Sequence, residues 1–141
     1  MKKNTQELLE ILNSTDKIQT YLSDFPEVIP QEPLSPALEK LLSEKGLKKS
    51  RCIKDSGLPR TYAYQIFSGE RTPSRDKLLA LCLAMHLTPK EVHTLFSATG
   101  YPDLYAKNQR DSVFIFAFNK HLSPIETNEL LLELKMDLME I

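Results

Sequence analysis

Between residues 58 and 71 the chain reads LPRTYAYQIFSGER, a run dense in side chains that recognise rather than react. At helical spacing Thr61, Tyr64, Gln65 and Ser68 fall on one face, with Arg60 at its leading end. Ala63, Ile66 and Phe67 fall on the opposite, core-facing side. The polar face carries donors, acceptors and flat rings. An Arg can bridge O6 and N7 of guanine, and a Gln can bridge N6 and N7 of adenine, each contact discriminating by about 1–3 kcal/mol. Such a face suits the edge of a base pair. Around it the charge is uneven. Residues 46–75 hold seven cations (Lys48, Lys49, Arg51, Lys54, Arg60, Arg71, Arg75) and two anions, a net of +5, while 1–45 and 76–141 each carry a net of −3. A basic island between acidic flanks is an electrostatic footprint for a polyanion, and equally what a solvated face looks like.

Bond-making chemistry finds little to work with. There is no phosphate-cradling glycine loop, no metalloprotease His-Glu spacing and no nucleophile elbow, so an enzyme is not expected. Cys82, His86 and His93 do not make a convincing metal set: His93 lies beyond the Thr88-Pro89 break and a fourth ligand is not evident, so they read as core or surface residues. No cofactor is implied. Cys52 and Cys82 sit in apolar helical patterns and read as free buried thiols. The carboxylates at 126, 129, 133, 137 and 140 read as the solvated stripe of a last helix. No apolar run has the length of a membrane span. Residues 1–25 lack a signal peptide's apolar core and cleavage site, which predicts a cytoplasmic protein.

Helices are expected throughout to position the polar face. Residues 5–14 and 16–25 read as short helices forming an N-terminal arm (1–25), followed by a proline-rich linker over 26–36. Ser35-Pro36 reads as N-cap and first residue of the next helix, which Gly46 stops. Helices over 48–55 and 59–68 follow, joined at Gly57, with Pro59 at the first helical position and Gly69 as the stop. An apolar helix covers 75–86, and Thr88-Pro89-Lys90-Glu91 is a capping box for a helix ending at Gly100. Residues 110–120 contain VFIFAF, which alone fits a strand or a buried helix; the helical surroundings favour the helix. Ser123-Pro124-Ile125-Glu126 repeats the capping box.

Residues 46–74 together have helix-turn-helix spacing. Gly46-Leu47, Gly57-Leu58, Gly69, Arg71 and Pro73-Ser74 stand in the register of the Xre family, the phage Cro and repressor class, which this stretch resembles over roughly 34–96. The resemblance implies an all-α, lambda-repressor-like bundle (34–99), here extended by a C-terminal helical segment (100–141). It implies a cytoplasmic bacterial or phage transcription regulator, with repression the commoner mode. It also implies a double-stranded DNA operator as partner, a homodimer, and base contacts from Arg60, Thr61, Tyr62 and Gln65. Lys48, Lys49 and Arg71 would hold phosphates, and Tyr64 and Ser68 complete the contact face. The chain departs from the family in three places. Pro59 stands where a hydroxyl often caps the helix; Ile53 and Ala63 exchange the usual small and large residues; Tyr62 and Tyr64 are bulky. A helical protein-interaction module or antitoxin-like adaptor is the alternative, with the N-terminal helices a site for a protein partner.

Overall fold

The computed structural model describes residues 5–14 and 31–141, and all regular structure among them is helical. The helix expected over 16–25, and residues 26–30 of the linker, lie outside them. The chain divides into two units, Met1–Gln31 and Glu32–Ile141. In the first, α1 (Thr5–Asn13) has no buried residue. The second holds α2 (Leu34–Lys45), α3 (Lys49–Ser56), α4 (Arg60–Ser68), α5 (Arg75–Ala84), α6 (Pro89–Thr99), α7 (Gln109–Asn119) and α8 (Pro124–Glu133). No helix among the described residues is long and apolar enough to cross a membrane.

Every residue of α5 from Leu78 to Ala84 is buried. A helix apolar on all sides must be surrounded, and α3 and α8 pack directly on it. Around that axis α2 packs on α4 and α6, and α7 on α6 and α8. The VFIFAF run is helical; Val113, Phe114, Ala117 and Phe118 are buried, while Phe116 is exposed. One core therefore runs from Leu38 to Met139, and the C-terminal extension is part of it.

Helix starts follow local chemistry at Thr88 and Ser123, where both capping boxes form with Pro at the first position. Two other starts differ from expectation. The N-cap of α2 is Pro33, two residues before the Ser35 expected from Ser35-Pro36; Pro33 already has extended backbone (φ −61°, ψ 139°), so the helix begins at Leu34. Ser35 Oγ instead donates to the Phe67 carbonyl, tying α2 to the end of α4. Pro59 likewise is the N-cap of α4 rather than its first residue.

Among the described residues six helices end with the chain wrapping back onto the last turn. Gly46, Gly69 and Gly100 supply the left-handed residue at three of them; His86, His121 and Lys135 do so at the others, at φ 55°, 56° and 59°. The next N–H then reaches the helix: Leu47 to Leu42, Leu87 to Cys82, Tyr101 to Phe96, Leu122 to Ala117 and Met136 to Leu131. In those five an apolar residue follows and packs inward. After α4 the following residue is Glu70, which is exposed.

The first turns of α5 and α7 are locked by a reciprocal pair of arginine–aspartate forks. Arg75 Nη1 and Nη2 donate to the two Asp111 carboxylate oxygens at 2.8 and 3.0 Å. Arg110 donates to the two Asp76 oxygens at 2.9 and 2.8 Å. Arg75 also donates to the carbonyls of Pro102 and Asp103. The last helix stops at Glu133, so Asp137 and Glu140 are not on its stripe as expected. The chain beyond folds back: Arg110 Nε donates to the Asp137 carbonyl, and the Asn128 amide brackets buried Met139 by accepting from its N–H and donating to its carbonyl.

Burial raises the pKa of the Asp111 carboxyl, but bonds from Arg75 and the Tyr105 N–H, with the charges of Arg75 and Arg110, outweigh it and leave the group below its ordinary value. Its contribution to stability is therefore complete above the ordinary carboxylate range and is lost as pH falls through the depressed value. Asp111→Asn should cost about 3 kcal/mol, the low end for breaking a buried pair. It should also reduce the fall in denaturation midpoint expected on acidification below about pH 4. Ile53 and Ala63 are both buried on the packed pair α3 and α4. Ile53→Ala should cost about 2–5 kcal/mol, and adding Ala63→Ile should recover much of it in the same unfolding assay. Additive losses would mean the two side chains do not share space.

Candidate nucleic-acid interface

The turn between α3 and α4 is built by three residues. Ser56 is fully buried; its Oγ donates to the Ile53 carbonyl at 2.7 Å and accepts from the Leu58 N–H at 3.2 Å, closing the end of α3. Gly57 takes φ 78°, a conformation that favours a residue without Cβ. Leu58 is buried and anchors the chain before Pro59 turns it into α4. A Cβ at Gly57 would meet the Ile141 side chain at 3.0 Å, so the C-terminal segment rests against this turn.

On α4, Ala63, Ile66 and Phe67 are buried as their spacing predicts. Arg60, Thr61, Tyr64, Gln65 and Ser68 line a groove of about 670 Å³ together with Lys49, Glu39, Phe67 and Glu70. Arg60, Thr61, Tyr64 and Ser68 are exposed, and Gln65 is half-buried. The Arg60 guanidinium lies 5.8 Å from the centre of the Tyr64 ring, which orients both at the leading end of the face. Gln65 accepts a hydrogen bond from Arg71 Nε at 3.2 Å.

Tyr62, expected on an exposed side, stands apart from this face. It is half-buried against the core, and Lys77 of α5 lies 5.2 Å above its ring. Its spacing from Arg60 gave no warning of this, because the cause lies on a helix fifteen residues further along.

The basic island is smaller than the sequence count. Arg75 is spent on Asp111, Arg51 pairs with Asp55 at 3.1 Å, and Lys49 pairs with Glu39 of α2 while lying 5.5 Å from the Phe67 ring. Lys48, Lys54, Arg60 and Arg71 make no ion pair with a carboxylate among the described residues. Lys48 and Lys54 belong to the start and last turn of α3, next to the groove-lining helix. Nothing in the sequence position of Lys54 marks it as a contact; its lack of an ion pair among the described residues is the signal that does.

No protein-family model matches the chain, and no curated protein or solved structure matches it.

Elsewhere, Cys52 and Cys82 are free and buried, and burial pushes both thiols up, away from the reactive thiolate form. His93 pairs with Asp103, and among the described residues no group of three or more His, Cys, Asp or Glu side chains could hold a metal.

Proposed function

We propose that α3 and α4 form a helix-turn-helix that binds double-stranded DNA sequence-specifically, and that the protein regulates transcription by occupying an operator. The observation that carries this reading is the convergence of Arg60, Thr61, Tyr64, Gln65 and Ser68 on the open face of one short helix whose other face is buried. In this reading α4 enters the major groove. Arg60, Thr61 and Gln65 meet base edges, Tyr64 offers a flat ring to sugar or a thymine methyl, and Lys48 and Lys54 hold phosphates on either side. Tyr62 acts from behind, through Lys77 and the core. Repression is the simplest consequence of occupying an operator, and a dimer would read two half-sites about one helical turn apart.

A helical protein-interaction module is the second reading. Glu39 and Glu70 line the same groove, and three cations of the island are neutralised internally, which suits a surface of mixed charge.

Selection from a random duplex library should enrich a motif with the wild-type chain and lose it with Arg60→Ala/Gln65→Ala. The two lysines assigned to phosphates, Lys48 and Lys54, predict a slope of about −2 in log affinity against log salt. No enrichment at low salt, with a salt-insensitive protein partner instead, would favour the second reading. Glu39→Gln releases Lys49, so it should tighten DNA binding and steepen that slope by about 1. Stability should change little, because the pair is partly exposed.

A further inference from the structure

We infer that Arg71 and Gln65 act as one donor-rich unit that reads guanine, where Gln65 alone would read adenine. The inference rests on the DNA-reading role proposed for α4. Arg71 Nε donates to Gln65 Oε1 at 3.2 Å. A guanidinium has only donors, so the oxygen of the amide, never its nitrogen, must face it. The Arg71 contact thus sets which way the Gln65 amide points: Oε1 is held by the arginine, and Nε2 is directed away with both N–H groups available.

The backbone brings the two together. Gly69 takes φ 88°, and the N–H groups of Glu70 and Arg71 both reach the Gln65 carbonyl, at 2.9 and 3.2 Å. Among the described residues this is the one wrapped helix end where the residue after the left-handed position is not apolar. The chain leaves α4 along its exposed end rather than diving into the core. Arg71 is therefore placed beside the last turn, over the side chain whose carbonyl its own backbone binds.

The valences left over decide the preference. The unit offers the N–H groups of Nε2 and the remaining guanidinium donors, and one lone pair on an oxygen already shared with a cation. In the major groove guanine presents only acceptors, N7 and O6, whereas adenine and cytosine present amino donors. A guanidinium beside an amino group sets positive charge against positive, and beside O6 and N7 it sets positive against negative. Arg71 is a positioning and specificity residue in this scheme, not one more phosphate clamp.

The test is site selection by the full chain from a random duplex library, with wild type, Gln65→Ala and Arg71→Ala in parallel and thermal melting to verify that each is folded. The wild-type motif should contain a guanine whose preference disappears in Gln65→Ala. At that same position Arg71→Ala should shift the guanine-to-adenine ratio toward adenine by about 5- to 150-fold, the span of one bidentate contact, and leave other positions alone. Adenine at the Gln65-dependent position of the wild-type motif overturns the inference. So does an unchanged guanine in Arg71→Ala with uniformly weaker binding and a shallower salt slope, which is the behaviour of a phosphate contact. If wild type enriches nothing, the DNA-reading role itself fails, and the inference falls with it before any variant is compared.

Discussion

A helix with no polar side cannot lie on a surface, and α5 is such a helix from Leu78 to Ala84. The rest of the folded unit follows from enclosing it. α3 covers one side, α8 another, and the apolar residues that follow, Met85 and Leu87, continue the same core. This enclosure explains why α4 can present a polar groove. Its inward residues Ala63, Ile66 and Phe67 join the core beside α2 and α3, and nothing in the packing of α5 needs its outer face. The groove-lining side chains of α4 are thus outside the core, apart from Phe67, whose ring and backbone carbonyl also hold Lys49 and Ser35, while Lys49 and Glu39 pair with each other between α3 and α2.

The attitude of that face is controlled at both ends of α4. At the start, Ser56 bridges the Ile53 carbonyl and the Leu58 N–H, and Gly57 takes the turn. At the finish, Ser35 binds the Phe67 carbonyl and the chain folds over Gln65. Unsatisfied groups at helix ends must find partners, and here those partners come from α3, α2 and the following loop. The same economy limits the electrostatics. Only cations without a carboxylate neighbour can compensate phosphate charge at full strength, so the patch is better described by Lys48, Lys54, Arg60 and Arg71 than by the count of basic residues between 46 and 75.

What was legible in the sequence was local. Both capping boxes, the glycine stops and the division of α4 into inward and outward faces depend on residues within a few positions of one another. What escaped was set by distant partners. Ser-Pro caps a helix at 123–124 and fails to do so at 35–36, because Pro33 has already started the helix and Phe67, thirty-two residues away, takes the hydroxyl. Tyr62 turns inward under Lys77 for a similar reason. The ends at His86, His121 and Lys135 carry no glycine to announce them, since the buried residue that follows each one holds the turn. The all-α class was legible as well, because helix periodicity and capping signals recur along the chain.

The two crossed forks between Arg75-Asp76 and Arg110-Asp111 bear on how this domain can be inherited or recombined. Residues 34–99 resemble a portable cassette, yet the cassette's most fully buried helix begins with an arginine whose carboxylate is supplied from beyond residue 100. Grafted onto another body, that piece would carry an orphaned guanidinium at the mouth of its core, and a neighbouring aspartate stripped of its own arginine. Recombination that respects the chain's apparent boundary near Gly100 would thus cut through its electrostatic seam. The helices after that point and the groove-bearing part share one core and one pair of ionic clasps.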